Sequence, residues 1–184
     1  MDVVLPKNKP VGLHVLTVST PDSCTREDAR LRVREALKAK LYDLLGGCGN
    51  DVQIHSTRGR AVRLAAPFSD IGLSISHERG LSVAAINLSG RVGVDVMRWG
   101  DALPGMRELA RDYLGPTMYD RIERGPAVAQ SEIFARAWTA HEACLKCQRV
   151  PLVEWSAALD KSLSACETIV VELAHTWAVT VAFC

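Results

Sequence analysis

The 184-residue sequence has no surplus of charge: 22 Lys and Arg stand against 21 Asp and Glu, a formal net charge of +1. That balance excludes the broad electrostatic attraction that brings basic proteins to nucleic acids or anionic membranes, although it leaves room for a local basic pocket. No apolar run is long enough to span a bilayer. The N-terminal stretch MDVVLPKNKPVGLHVLTVST is interrupted by Pro6, Lys7, Lys9 and Pro10, where a secretory signal would have a basic start and an unbroken apolar run. Low-complexity segments and repeats by identity are also missing. So is a second cysteine pair: Cys144 and Cys147 form one C-x-x-C, while Cys24, Cys48, Cys166 and Cys184 are scattered. A single such pair on a predicted helix reads as small packing residues rather than half of a zinc site. A chain of this size needs no disulfide staples, so the six cysteines are expected to be thiols of a cytoplasmic protein.

What is present is a globular composition, 48% hydrophobic and 23% charged, at a length that suits one compact body built from two halves. The first half predicts a strand over residues 11–18 and a helix over 25–45. Thr25 and Asp28 form a capping pattern at its start, and Gly46 and Gly47 stop it. A short strand follows at 52–55, and STRGRAVRLAAP is a basic turn leading into a loop. In the middle, LSISH alternates Leu73, Ile75 and His77 with Ser74 and Ser76. LSVAAINL is the next strand, and Ser89-Gly90-Arg91 turns the chain into VGVDV. Period two there gathers Val92, Val94 and Val96 on one face, so Gly93, Asp95 and Met97 share the other and Asp95 points away from the valine core.

Helical spacing covers 103–119, a Gly125-Pro126 break follows, and a long helix then contains FARAWTAHEACLK. At 100° per residue Phe134, Trp138, His141 and Leu145 form one stripe, the expected packing face. Thr139, Glu142 and Lys146 fall beside it at the border with solvent. On that helix alone, Glu142 and Lys146 are an (i, i+4) salt bridge of about 0.3–0.5 kcal/mol. Two further strands are predicted at 168–173 and 176–183.

Three separated segments, SISHERG with His77, GVDV with Asp95 and WTAHEACLK with Glu142 and Lys146, together resemble the 4′-phosphopantetheinyl transferase superfamily, in its longer, pseudodimeric branch. The resemblance is firm over about residues 73–146. Upstream, TREDARLRVREAL and RGRAV are similar to the basic helix and turn that such enzymes use around coenzyme A.

The resemblance implies an α+β fold of two similar α/β subdomains, residues 1–72 and 73–184, with coenzyme A in the cleft between them. It implies transfer of the 4′-phosphopantetheine arm of coenzyme A to a serine of an acyl or peptidyl carrier protein, releasing 3′,5′-ADP. Magnesium would be held by Asp95 and Glu142; Glu142 would also be the general base and Lys146 a phosphate-neutralising cation. Ser76, His77, Arg60, Arg26, Arg30, His141 and Lys146 are the candidate coenzyme A contacts. For Arg26 and Arg30 a solvated helix face is an equally open reading. The chain is expected to be a monomer acting on neither nucleic acid nor membrane.

Two residues depart from the family pattern. Met97 stands where many relatives have a third metal-ligating Glu, and a thioether is a poor ligand for a hard cation. His141 stands where the motif has Lys, and being on the apolar stripe it is either a packing residue or a phosphate contact. Both departures leave a second reading open: a non-catalytic coenzyme A or carrier-protein binding module on the same fold.

Overall fold

The computed structural model describes all residues except 2, 4, 6–8, 48–51, 58–60, 101, 102, 174 and 175. Its architecture is mixed α+β, with two antiparallel sheets stacked face to face and one long helix on the outer face of each. The first sheet has five strands in the order β1-β5-β4-β3-β2: β1 (Leu13–Ser19), β2 (Ile54–His55), β3 (Arg63–Leu64), β4 (Gly72–Glu78) and β5 (Leu81–Asn87). The second has three in the order β6-β8-β7: β6 (Val92–Arg98), β7 (Glu167–Val170) and β8 (Trp177–Phe183).

Helix α1 (Arg26–Leu44) covers the first sheet. Thr25 caps it by accepting a hydrogen bond from the Asp28 amide at 3.1 Å, Glu27 and Asp28 complement the dipole in the first turn, and Gly46 and Gly47, at φ 63° and 84°, follow its C-terminal end. Its buried residues recur every four positions, Ala29, Val33, Leu37 and Leu41, and the last three pack on Leu16, Leu73, Ala84 and Ile86 of the sheet. The neighbouring stripe is Arg26, Arg30 and Arg34, which therefore runs along the edge of the helix rather than into the core.

The alternation along β4 and β5 separates two environments. Leu73 and Ile75 face α1. Ser74 and Ser76 lie on the opposite face with Val83 and Ala85, toward the second sheet. That inter-sheet layer joins Leu13, Val15, Val83 and Ala85 to Val92, Val94, Val96, Val179 and Val181. The valine face of β6 is thus where period two puts it. Its other face, Gly93, Asp95 and Met97, lies under α4 (Ala127–Gln148). Because Gly93 has no Cβ, the helix backbone can lie directly on the strand: a Cβ there would collide with the Ala143 carbonyl and the Cys147 amide.

Strands β4 and β5 complete the first sheet by pairing with β3 and β1, and the chain changes sheets in the turn at 88–91. Several expectations for individual elements are revised. Residues 63–64 form β3 within a segment read as loop. The helical stretch 103–119 is broken into α2 (Met106–Leu109), a π-helical turn (Ala110–Leu114) and α3 (Gly115–Arg124). Gly115, at φ 80°, stands at the break with the Trp155 ring packed where a Cβ would project. A short helix, α5 (Ala157–Leu163), capped by Ser156, occupies the stretch after Pro151.

The packing face of α4 is also rotated from the expected stripe. Phe134 and Leu145 are fully buried, but so are Ala135, Thr139 and Ala143, while Trp138 and His141 are only partly buried. Thr139, expected at the solvent border, is 0% exposed and its hydroxyl is 3.0 Å from that of Thr180 on β8. The close approach over Gly93 explains this: a helix lying so near a strand needs small residues at the seam, and Phe134 and Trp138 are displaced sideways onto the layer of α2 and α3.

Candidate functional site

Asp95 sits on the α4-facing side of β6, directly opposite the turn of α4 that carries Lys146. The Lys146 Nζ donates to Asp95 Oδ1 at 2.6 Å, to the Val94 carbonyl at 3.1 Å and to Ser76 Oγ at 3.3 Å. Ser76 Oγ in turn donates to the same Asp95 oxygen at 2.7 Å. Two residues earlier on the same face, Ser74 Oγ accepts from the Val94 amide at 3.0 Å. The serine face of β4 therefore satisfies the edge of β6 that β8 leaves open, and in doing so joins the two sheets at the motif residues.

Glu142, one helical turn before Lys146, lines the same cleft. Among the described residues it has no cation at ion-pair distance, so the (i, i+4) pair expected on the helix surface gives way to Lys146–Asp95. Burial raises the Glu142 pKa above the usual carboxylate range; Lys146 opposes the shift and the charge of Asp95 reinforces it.

The opposite wall is built by the first sheet and its helix. Arg26, Arg30 and Arg34 project from α1 toward His77 at the end of β4, and together with Asp95, Met97, Trp138, Glu142 and Lys146 they enclose a cleft of about 890 Å³. His77 Nδ1 shares a 2.8 Å hydrogen bond with Ser82 Oγ, its partner across the β4–β5 pair. Burial first, then Arg30, Arg26, Lys146 and Arg34, lower its pKa to about 4. The imidazole is neutral at neutral pH inside a ring of cations, an environment built for an anion. Beyond Glu142 and Lys146 the cleft adjoins a second hollow lined by Ile75, Val150, Pro151 and Leu152.

Residues 91–181 match the family described as the 4′-phosphopantetheinyl transferase superfamily. The chain is 29% identical over 94 residues to the 4′-phosphopantetheinyl transferase HetI of Nostoc sp. strain PCC 7120, a stretch that covers 50% of this chain and 39% of that protein. The chain belongs to the 4′-phosphopantetheinyl transferase superfamily.

Of the residues singled out on the superfamily resemblance, the structure brings Asp95, Glu142, Lys146, Ser76, His77, Arg26 and Arg30 to one cleft. Arg60 lies outside the described residues. His141 is not part of the cleft lining: its ring is partly buried on another side of α4, under the influence of Asp160 of α5, and burial lowers its pKa. Its Nε2 is buried without a hydrogen-bond partner among the described residues. This geometry favours the packing alternative for His141, because residues 141 and 142 are 100° apart on the helix and only Glu142 turns toward Asp95.

Sequence reasoning passed over Arg34, although it continues the spacing of four set by Arg26 and Arg30. It also passed over Glu78, which lines the cleft while its Oε1 accepts from the Arg79 amide at 2.8 Å.

The donor set suits a hard divalent cation. Asp95 and Glu142 supply carboxylate oxygens on one wall; burial is the main cause of the raised Glu142 pKa and the Asp95 charge adds to it, and a cation relieves both. Magnesium takes one or two protein carboxylates and completes its shell with water and phosphate oxygens. Met97 lines the cleft but offers only sulfur.

Proposed function

We propose that the protein transfers the 4′-phosphopantetheine arm of coenzyme A to a serine of an acyl or peptidyl carrier protein, releasing 3′,5′-ADP, in a magnesium-dependent reaction in the cytoplasm. One observation carries this reading: a single cleft sets a carboxylate pair and a lysine from β6 and α4 against three arginines and a histidine from α1 and β4. A ligand with one anionic end and a reacting pyrophosphate fits such a two-sided charge pattern.

In the proposed reaction Arg26, Arg30 and Arg34, with His77, hold the 3′-phosphate and the pyrophosphate by charge-assisted hydrogen bonds. Ser76 and Asp95 orient the Lys146 ammonium, which neutralises charge on the reacting phosphate. Glu142 accepts the proton of the carrier serine, directly or through a water. The serine oxygen forms its bond to the phosphorus that bears the pantetheine arm. The bridging P–O bond breaks, and its electron pair leaves with 3′,5′-ADP. A magnesium ion at Asp95 and Glu142 would supply Lewis-acid stabilisation of the pyrophosphate. The raised Glu142 pKa supports the base assignment, since a carboxylate closer to neutrality is a better proton acceptor. The adjoining hollow beside Glu142 and Pro151 is the side from which a carrier serine would approach.

The test is incubation of the protein with coenzyme A, magnesium and a panel of apo carrier proteins, read by intact mass. A carrier that gains one phosphopantetheine supports the assignment; no gain across the panel removes it. The second reading, a non-catalytic binding module, draws on the closed Lys146–Asp95 contact, which occupies an oxygen that a metal would use. Calorimetry with coenzyme A separates the two, since a module binds equally with and without magnesium and the enzyme binds more tightly with it.

A further inference from the structure

Away from the cleft, the far end of α4 gathers thiols from three elements remote in sequence. Cys147 is in the last turn of α4, Cys166 precedes β7 and Cys184 follows β8; their sulfurs all lie within 4.8 Å of one another. Cys147 Sγ and Cys184 Sγ are 2.9 Å apart. Cys144, one turn earlier on α4, borders the same group: Cys166 Sγ lies 4.0 Å from its carbonyl oxygen. The C-x-x-C that lacks a second pair in the sequence thus has one in space.

We propose that Cys147, Cys166 and Cys184 form a thiolate site for a borderline-soft divalent cation of the zinc type, with Cys144 beside them as the fourth thiol. Thiolate sulfur selects such cations over magnesium or calcium. A tetrahedral site with metal–sulfur bonds of about 2.3 Å spaces its sulfurs about 3.8 Å apart, inside the span observed here, so small side-chain rotations suffice to seat the ion.

The surroundings extend beyond the ligands. Gln148 Nε2 donates toward Cys166 Sγ at 3.6 Å, and the amide is held by Ser162, whose Oγ donates to Gln148 Oε1 at 2.8 Å. An oriented N–H donor aimed at a ligand sulfur is the outer-sphere feature that tunes metal–thiolate sites. Binding converts each ligating thiol to thiolate and releases its proton to solvent, with no change of oxidation state. Burial pushes the Cys144 thiol up to about 12 and also raises Cys147 and Cys166, so a bound ion must displace their protons. The bound ion would tie the end of α4, one residue past Lys146, to the start of β7 and the end of β8, and its binding energy would add to folding stability.

The experiment uses the reduced, metal-free full chain titrated with Co2+ and then with Zn2+ in competition. The proposal expects one equivalent of Co2+ with thiolate-to-metal charge-transfer and tetrahedral d–d absorption, displaced by Zn2+, and a higher thermal midpoint with Zn2+. Cys184→Ser, at an exposed position, should abolish the charge-transfer band without unfolding the chain. Gln148→Ala should weaken Zn2+ binding about tenfold. Cys24→Ser should bind as the native chain does. Absence of the band, its survival at full strength in both Cys184→Ser and Cys166→Ser, or equal loss in Cys24→Ser overturns the site. So does peptide mapping that finds Cys147 and Cys184 joined as a disulfide while Zn2+ is in excess.

Discussion

Lys146 Nζ lies 2.6 Å from Asp95 Oδ1, although the two residues are 51 positions apart and Glu142 is the nearer acid in sequence. The contact links the GVD strand to the WTxxEAxxK helix by a charge-assisted hydrogen bond, and it leaves Glu142 without an ion-pair partner among the described residues. One acid is tied and the other free. That division of labour orders the substitutions below.

Glu142→Gln is the cleaner loss-of-function variant, because Glu142 has no ion pair among the described residues. Transfer should be abolished while circular dichroism and the thermal midpoint stay near native. Asp95→Ala should also abolish transfer, but it strips the Lys146 ammonium of its carboxylate and so lowers stability; Asp95→Asn, which keeps an acceptor for Ser76 and Lys146, should lower it less. Near-native turnover in Glu142→Gln removes the base and metal assignments together.

The arginine stripe of α1 predicts graded effects on binding. Arg30→Ala and Arg34→Ala should each weaken coenzyme A about tenfold, the loss expected for one charge-assisted contact of roughly 1.4 kcal/mol. Neither should disturb α1, whose core contacts are Ala29, Val33, Leu37 and Leu41. Calorimetry at two ionic strengths checks this, since a weakened electrostatic contact also flattens the salt dependence. Unchanged affinity in both variants would return these residues to a solvated face.

His77 should make both stability and binding depend on pH. Its folded pKa, about 4, lies below the ordinary value of 6.5, so the unfolded chain takes up the proton first as pH falls. The contribution of neutral His77 is complete above about pH 6.5 and declines as pH drops toward about 4. Native His77 should therefore show a loss of thermal midpoint across that window that His77→Gln lacks. Phosphate beside the ring favours the imidazolium, so coenzyme A binding near pH 5.5 should be accompanied by proton uptake, measured by calorimetry in buffers of different ionisation enthalpy. His141→Asn, outside the cleft lining, should leave that proton uptake as it is.

Much of this arrangement is legible in the residue pattern. Period two along VGVDV turns Asp95 away from the valines, and Thr25, Gly46 and Gly47 bound α1 as capping chemistry requires. The orientation of α4 is not legible in the same way. Hydrophobic periodicity weighs Phe134, Trp138 and Leu145 heavily, but the seam on β6 and β8 is made by Thr139 and Ala143, selected by the close approach at Gly93 rather than by hydropathy. For His141 the sequence leaves packing and phosphate contact equally open, because the family position and the apolar stripe point opposite ways. The short β3 and α5 hold too few residues for a period to register, and the thiol cluster joins Cys147 to partners 19 and 37 positions away, a proximity created only by folding.

The seam makes its own prediction. Gly93→Ala should cost about 3 kcal/mol or more, since the new methyl meets helix backbone that cannot rotate aside. Phe134→Ala should cost about 3–5 kcal/mol as a fully buried ring. Trp138→Ala should cost less, because Trp138 is only partly buried, stacked on Phe134 with ring centres 5.6 Å apart and edge-on to Tyr113 at 5.9 Å. Denaturant midpoints rank the three. A Trp138→Ala loss exceeding that of Phe134→Ala would restore the packing stripe expected from periodicity.

The pH profile of transfer should carry the signature of Glu142. A general base works only when ionised, so activity must fall as pH drops through its pKa. Burial raises that pKa above the ordinary carboxylate range and Asp95 raises it further, with Lys146 pulling the other way. The acid limb of kcat/KM should therefore lie at higher pH than an exposed glutamate would give. A cation shared by Asp95 and Glu142 favours the ionised pair, so raising magnesium from limiting to saturating should move the limb toward lower pH. Substitution of Lys146 by Met removes a cation that lowers the Glu142 pKa, and its residual activity should show the limb displaced upward. The Asp95→Asn variant, which removes a repelling charge, should displace it downward in whatever activity remains. Opposite displacements of one limb by the two variants are what a titrating carboxylate between Lys146 and Asp95 requires; an acid limb that stays in place in both variants and at all magnesium concentrations would assign the base to another group.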